Sequence, residues 1–251
     1  MKKKRKSKLN LERIKFLHSL GYDDGEIAKH MKASRSTICY ARSYILKLKP
    51  AINSRFFTKY QEEVLIGTLL GDSYIGYVTD ICNYPCLTYS HCKSQEIYAR
   101  HKFSVLKNIM SSIIERQYST QTTIKGKICN IQPVLYARSH NSECLKLYRD
   151  TFYPKGVKII PISFLEKHFT KISLAYLYMD DGCKNGKTYN LNLQCFTTDN
   201  LQEFCDFLNR KFNINFTVKK DKTLYLKHNS ISKFENLIKP YITKDMRYKI
   251  H

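Results

Sequence analysis

Two apolar segments in different parts of the chain each end in an aspartate that is followed by a small residue. The first, residues 65–73, reads Leu-Ile-Gly-Thr-Leu-Leu-Gly-Asp-Ser, and the second, residues 174–182, reads Leu-Ala-Tyr-Leu-Tyr-Met-Asp-Asp-Gly. Both are apolar enough to form buried helices. The C-terminal end of a helix carries partial negative charge and repels a carboxylate unless a cation lies beside it. Two such helix ends that meet at a dyad therefore predict a divalent-metal site.

A second pair of related segments indicates an internal duplication. Residues 135–142 read Leu-Tyr-Ala-Arg-Ser-His-Asn-Ser, and residues 224–230 read Leu-Tyr-Leu-Lys-His-Asn-Ser. Each precedes an amphipathic helix that ends in a Tyr-Pro or Pro-Tyr pair. The repeats predict two halves, 60–161 and 162–251, each with the order helix-strand-strand-helix-strand-strand-helix. We therefore expect an α+β fold with two pseudo-symmetric αββαββα halves, preceded by a small all-α domain.

Hydrophobic periodicity predicts the individual elements of the first half. In chain order they are a helix over 60–71, strands near 74–78 and 87–91, a long helix over 95–114, strands over 118–124 and 128–138, and a helix over 143–152. Gly67 and Gly71 lie in the first helix, where glycine costs about 1 kcal/mol relative to alanine. Their presence predicts that another helix approaches closely.

The charge of the chain indicates a polyanionic partner. Lys and Arg total 43 against 21 Asp and Glu, which gives a formal net charge of +22. Such an excess favours nucleic acid as the partner, with a ribosomal or a membrane-surface protein as the alternatives. The chain contains no apolar run of transmembrane length and no signal peptide. We expect no membrane association and a soluble intracellular protein of the cytoplasm, mitochondrion or nucleus.

Cysteine and histidine residues offer one alternative metal site. The chain has nine cysteines and no secretory signal, so we expect reduced thiols. Four potential zinc ligands lie close together in the sequence: Cys82, Cys86, His91 and Cys92. Their segment alternates like a strand and contains no Cys-x-x-Cys pair, which argues against zinc.

The residues before the first half predict an accessory module. Residues 1–8 are almost all Lys and Arg and form either an arm that lies on phosphates or a nuclear address. Three short helices follow within residues 9–48, the first of them stopped by Gly21, and residues 49–59 form a linker. A short helix, a tight turn and a further helix are typical of the helix-turn-helix motif.

The last helix of this motif is expected to enter the DNA major groove. Its exposed start would offer Arg35, Ser36 and Thr37, with Tyr40 and Arg42 farther along. A three-helix protein–protein module is the alternative. The basic charge of the surrounding sequence favours DNA.

The two aspartates at the ends of the apolar segments predict the chemistry. Carboxylates and helix-end carbonyls suit Mg²⁺ or Mn²⁺, and we expect Asp72 and Asp181 to be the ligands. Metal ions shared between two acids can activate water and stabilise the leaving 3′ oxygen. No protein nucleophile is then required.

Both apolar segments resemble the paired motifs of the LAGLIDADG homing endonucleases, and especially the single-chain branch that includes the omega-type intron enzymes. The resemblance covers about residues 60–250. It implies that the motif helices pack at the centre and that two antiparallel sheets form a saddle over the major groove. It also implies that Asp72 and Asp181 bind metal, and that Lys158 and Lys249 lie near the scissile phosphates. Asp180 stands where the first motif has a small residue, and we treat it as secondary.

The resemblance implies a monomer with an internal pseudo-dyad that makes double-strand breaks in a long, asymmetric DNA target. Tyr176 replaces the small residue that Gly67 supplies, so the helix contact cannot be symmetric. Base contacts are expected from strand residues, among them Arg138, Gln194, Lys219 and Lys227. The alternatives are a non-catalytic DNA-binding regulator, against which both acids argue, and a maturase that binds intron RNA.

Overall fold

A computed structural model of the chain describes residues 9–19, 24–48, 57–79, 82–117, 121–124, 127–130 and 132–251. These residues divide into two compact units. One contains the helices before residue 49 together with residues 142–144, and the other contains the remaining residues from 57 onward. Within the described part of the chain, every helix is too short or too polar to cross a membrane.

The N-terminal unit is a small helical bundle. It comprises α1 (Leu11–Ser19), α2 (Asp24–Met31) and α3 (Arg35–Tyr40), and α3 continues into a π-helical turn over Ala41–Ile45. The predicted order of short helix, turn and helix is present. The predicted basic arm, Gly21 and most of the predicted linker lie outside the described residues. The small core consists of Ile14, Leu17, Ile27, Ala28, Ile38 and Ala41.

A serine fixes the start of α3. Ser34 has extended backbone angles, and its Oγ accepts a hydrogen bond of 3.1 Å from the amide of Thr37. This is the usual N-cap contact, which satisfies one of the free amides of the first helical turn. Arg35, Ser36 and Thr37 are all exposed there.

Arg42 does not lie on the exposed face that the sequence predicted for it. The residue is 5% exposed, and its Nε and Nη2 bind the two carboxylate oxygens of Asp24 at 2.7 and 2.9 Å. This bidentate pair joins the start of α2 to the turn after α3. Arg42 therefore stabilises the module and is not available for a base contact.

The first half of the larger unit contains one four-stranded antiparallel sheet. The sheet has the strand order β1-β2-β6-β3, and a separate hairpin, β4-β5, is inserted between β3 and β6. The elements are α4 (Lys59–Leu70), β1 (Ser73–Gly76), β2 (Cys86–Cys92), α5 (Glu96–Val105), β3 (Met110–Arg116), β4 (Gln121–Ile124), β5 (Lys127–Asn130), β6 (Val134–Ser139) and α6 (Lys146–Phe152).

The second half repeats this arrangement without the hairpin. Its antiparallel sheet has the order β7-β8-β10-β9, which matches the first sheet strand for strand. The elements are α7 (Ile162–His168), α8 (Lys171–Asp181), β7 (Gly182–Asn185), β8 (Thr188–Asn192), α9 (Thr198–Phe212), β9 (Phe216–Val218), β10 (Thr223–Leu226) and α10 (Ile231–Ile238). The predicted duplication of an αββαββα unit is therefore confirmed, with α7 as an additional helix.

The long helix predicted over 95–114 was wrong in its second part. The helix α5 ends at Val105, and the chain then forms strand β3 from Met110. This strand pairs with β6 from Ser112↔Arg138 to Arg116↔Val134. Pairing with a distant strand outweighs the local helical periodicity.

The motif helices α4 and α8 pack directly against each other, and a glycine makes the approach possible. A Cβ atom on Gly67 would lie 2.3 Å from the carbonyl oxygen of Ser173 and 2.9 Å from Cβ of Tyr176. The large side chain of Tyr176 is fully buried on one side of this contact. The helix pair is therefore asymmetric, as the sequence predicted.

We expect Gly67→Ala to destabilise the protein by about 1–3 kcal/mol, because the added methyl group meets backbone that cannot move aside. The same substitution in an open helix would instead stabilise by about 1 kcal/mol. Urea unfolding measures the difference, and Ser104→Ala on the exposed face of α5 is the control. A gain of stability in Gly67→Ala would contradict the close contact.

Candidate active site and nucleic-acid interface

The two predicted metal ligands lie where the motif helices end. Asp72 follows Gly71, the residue that closes α4, and Asp181 is the last residue of α8. Partial burial and the charge of Asp180 raise the pKa of Asp72 to about 6. Burial and the charges of Asp72 and Asp180 raise the pKa of Asp181 to about 7. Both carboxyls are therefore harder to ionise here than in water.

This donor set fits a hard divalent cation. Carboxylate oxygens are the ligands that Mg²⁺ and Mn²⁺ prefer, and a bound cation would offset the negative charge of the neighbouring aspartates, which contributes to both raised pKa values. The residues that would hold such an ion are Asp72 and Asp181.

Each helix end also holds one lysine. The Nζ of Lys158 donates to the carbonyl of Gly71 at 2.8 Å. The Nζ of Lys249 donates to the carbonyls of Met179 and Asp180 at 2.6 and 3.1 Å. Burial lowers the pKa of both lysines. Lys158 thus lies at the end of α4 and Lys249 at the end of α8, in equivalent positions.

Asp180, which the sequence analysis treated as secondary, lies at the centre of the helix contact. Its side chain is 0% exposed, and both of its carboxylate oxygens accept hydrogen bonds. One oxygen accepts from Tyr98 Oη at 2.7 Å and from Lys102 Nζ at 3.0 Å. The other accepts from Thr68 Oγ1 at 2.6 Å and from the amide of Asp72 at 3.3 Å. A carboxylate with this many donors is not free to bind a metal ion.

Gly71 leaves the space that Asp180 occupies. A Cβ on Gly71 would lie 2.6 Å from Cβ of Asp180. Burial alone would raise the pKa of Asp180, but the nearby Lys102 ammonium and the hydrogen bonds hold that pKa below its usual value. Asp180 therefore stays charged and joins α8 to α4 and α5.

Sequence analysis missed the partners of Asp180. Lys102 is 0% exposed, and Tyr98 and Lys102 are both buried on α5. A lysine on the apolar stripe of an amphipathic helix was the available signal, because lysine is almost never fully buried without a partner.

His91 lies beside Asp72 on the buried face of the first sheet. Its Nδ1 is 3.6 Å from Oδ2 of Asp72 and 3.3 Å from Oε1 of Gln95, and its Nε2 is 3.9 Å from Oδ1 of Asp180. Among the described residues, Nε2 has no hydrogen-bond partner. Burial and the charge of Lys102 lower the pKa of His91 to about 3, so the ring is neutral.

Within the described residues, Asp72, His91 and Asp180 are the one group of three or more potential ligands whose donor atoms lie within 4.8 Å of one another. The alternative zinc site of Cys82, Cys86, His91 and Cys92 does not form among the described residues. Alternation along β2 directs Cys86 and Cys92 to the face opposite to that of His91.

The predicted base-contacting residues lie on and beside the two sheets. Arg138 is on β6, in register with Thr88 and Ser112 on the face opposite to the buried Leu135 and Ala137.

The other three predicted residues lie just beyond strand ends and not within strands. Gln194 follows β8, Lys219 follows β9 and Lys227 follows β10, and all three are exposed. The amide of Lys219 donates to Thr223 and that of Lys227 to Asn215. Lys219 and Lys227 therefore lie near opposite ends of β10.

Comparisons with known proteins identify the family of this chain. A family model described as the LAGLIDADG DNA endonuclease family matches residues 62–234. The chain is 30% identical over 203 residues to the probable intron-encoded endonuclease 1 of Wickerhamomyces canadensis, covering 77% of this chain and 84% of that protein. It is 25% identical over 211 residues to the cytochrome b mRNA maturase bI2 of Saccharomyces cerevisiae, covering 74% of this chain and 46% of the maturase.

A solved structure shows the same fold. The homing endonuclease I-WcaI bound to its DNA recognition sequence matches with a TM-score of 0.68 and 27% sequence identity, over 78% of this chain and 87% of that one. The family predicted from the two motifs is thereby confirmed. This chain belongs to the LAGLIDADG DNA endonuclease family.

Proposed function

We propose that this chain is a monomeric homing endonuclease that makes double-strand breaks in a long, asymmetric DNA target. The observation that carries the proposal is the pair of equivalent helix ends, each with one aspartate and one half-buried lysine. Two hydrolytic centres related by a pseudo-dyad suit the two strands of duplex DNA.

The two aspartates and the two lysines have different roles in the proposed reaction. Asp72 and Asp181 hold the metal ions, which we propose to be Mg²⁺ or Mn²⁺, and the bound ions supply Lewis-acid activation of water and of the scissile phosphate. Lys158 and Lys249 lie where their ammonium groups can offset charge that develops on the phosphate oxygens. Their hydrogen bonds to the helix-end carbonyls hold them there before DNA binds.

DNA binding is divided among several regions of the chain. We propose base contacts by Arg138, Gln194, Lys219 and Lys227, and additional contacts by Arg35, Ser36 and Thr37 of the helix-turn-helix. The corresponding domains are an arm (1–8), the helix-turn-helix (9–48), a linker (49–59) and the two halves (60–161 and 162–251). An accessory module of this kind adds affinity through its high effective concentration.

Cleavage of a randomised duplex library tests the function directly. The wild-type protein is expected to produce defined double-strand cuts in Mg²⁺ and none in Ca²⁺, and sequencing of the ends would reveal the target. Asp181→Asn should give no cuts under the same conditions. Binding without cuts by the folded wild type in Mg²⁺ would reject the nuclease.

Removal of residues 1–48 should weaken DNA binding and reduce its salt dependence without removing the chemistry. Each lost phosphate contact lowers the slope of log K against log salt by roughly 0.9. The larger unit keeps its own core, so cleavage should persist at higher protein concentration. Fluorescence anisotropy at several salt concentrations measures the slope, and removal of residues 1–8 alone is the control. A folded truncated protein without any cleavage would show that the module belongs to the catalytic unit.

A maturase role is the second candidate. The observation in its favour is the 25% identity to the cytochrome b mRNA maturase bI2. A maturase would bind its intron RNA with affinity comparable to that for DNA, whereas a pure nuclease would not. Filter binding of structured intron RNA, with duplex DNA of equal length as competitor, separates the two.

A further inference from the structure

The imidazole ring of His91 has oxygen atoms near both of its nitrogens. Oδ2 of Asp72 and Oε1 of Gln95 lie 3.6 and 3.3 Å from Nδ1, and Oδ1 of Asp180 lies 3.9 Å from Nε2. A neutral imidazole carries one N–H and one lone pair, and the lone pair can bind a metal ion. With the hydrogen on Nδ1 the ring donates to Gln95, and with the hydrogen on Nε2 the lone pair of Nδ1 is available to a cation beside Asp72.

A metal ion fits better beside Nδ1 of His91 than beside Nε2. Both oxygens of Asp180 already accept hydrogen bonds, and Lys102 lies 3.0 Å from the oxygen nearest to Nε2. On the other side, the carboxylate of Asp72 is 36% exposed and can be reached from solvent. Two ligands of one first-row divalent ion, each about 2.1 Å from it, lie roughly 3–4 Å apart. The 3.6 Å between Asp72 Oδ2 and His91 Nδ1 falls in this range.

If Nδ1 of His91 binds the metal ion, the other ring nitrogen, Nε2, still lies near a carboxylate. A histidine that ligates a metal usually directs its other N–H at a carboxylate or carbonyl, which fixes the tautomer. With the hydrogen on Nε2, the neighbouring carboxylate oxygen is Oδ1 of Asp180, at 3.9 Å. Oε1 of Gln95 offers a further oxygen ligand, while Nε2 of Gln95 donates to Tyr248 and fixes the amide orientation.

We propose that Asp72, His91 and Gln95 form a mixed nitrogen–oxygen site that binds a first-row transition metal ion, such as Mn²⁺ or Co²⁺, more tightly than Mg²⁺. Imidazole nitrogen is a good ligand for transition metals and a poor one for Mg²⁺. The inference rests on the proposed function, because Asp72 is also a metal-binding acid there. It adds a nitrogen ligand, His91 of β2, beside the aspartate that follows α4.

Metal binding can be tested without any cleavage reaction. Untagged, DNA-free protein is loaded with Mn²⁺, and pulsed electron paramagnetic resonance measures nitrogen coupling to the ion. Wild type should show the coupling, His91→Gln should lack it, and His101→Gln should retain it. His101 is a matched control because its Nε2 lies 2.7 Å from Oη of Tyr176 on α8 and the residue does not belong to the group of Asp72, His91 and Asp180.

Titration with Co²⁺, followed by its visible absorption, gives the affinities. We expect His91→Gln to weaken Co²⁺ binding by roughly tenfold or more, and to change Mg²⁺ affinity, measured by competition, by less than about threefold. Absence of nitrogen coupling in the wild type, or coupling that survives in His91→Gln, would overturn the inference. The wild-type measurement remains decisive even if His91→Gln does not fold. If coupling is absent but Mg²⁺-dependent cleavage still requires Asp72, only this inference fails and the proposed nuclease stands.

Discussion

Asp72→Asn and Asp181→Asn are each expected to reduce double-strand cleavage by roughly a thousandfold, which corresponds to about 4 kcal/mol of lost transition-state stabilisation. The carboxylates are proposed to hold metal and not to read bases, so specific DNA binding should change by less than about threefold. Partial burial and neighbouring aspartates already raise both pKa values, and an amide has no charge to attract a cation. Cleavage and binding are measured on the same duplex, with gel assays and fluorescence anisotropy.

Asp206→Asn is the control for these variants. Asp206 lies on the exposed face of α9, so the same chemical change there should leave cleavage unaffected. A parallel fall of binding and cleavage in Asp72→Asn or Asp181→Asn would assign these residues to DNA recognition. Full cleavage by either variant would remove that residue from the catalytic centre.

Lys102→Met is expected to lower the free energy of unfolding by about 3–5 kcal/mol, because it leaves the buried carboxylate of Asp180 without its counter-charge. Both side chains are 0% exposed. The double variant Lys102→Met/Asp180→Asn removes both charges, and we expect it to recover most of the loss. Urea unfolding of the wild type, both single variants and the double variant gives the coupling energy.

A surface ion pair supplies the comparison. Lys146 and Asp150 lie 2.7 Å apart on α6, with side chains 53% and 58% exposed. Lys146→Met should change stability by less than about 1 kcal/mol. A similarly small effect of Lys102→Met, or a double variant no more stable than the single ones, would contradict the role given to the buried pair.

The sequence allowed the duplicated fold to be predicted because its signals are local. Apolar helices, alternating strands and repeated segments at the start of each half do not require knowledge of distant contacts. The predicted end of α5 was wrong because it depends on a distant contact. Met110 to Arg116 become a strand only by pairing with β6.

The positions of Asp72 and Asp181 could be predicted for the same reason, since each stands at the end of an apolar segment. The role of Asp180 could not be predicted, because it depends on which residue of α4 faces it across the helix contact. Gly71 faces it and leaves room for the buried carboxylate. Lys102 could have been recognised only as an unexplained charge on an apolar stripe of α5.

The hydrogen bonds of Asp180 have a consequence for exchanging halves between relatives. The acceptor belongs to the second half, whereas its donors Thr68, Tyr98 and Lys102 all belong to the first. A chimera that takes its second half from a protein without this aspartate would inherit a buried ammonium with no anion. Successful recombination must therefore transfer these four positions as one set, even though they lie on both sides of the junction.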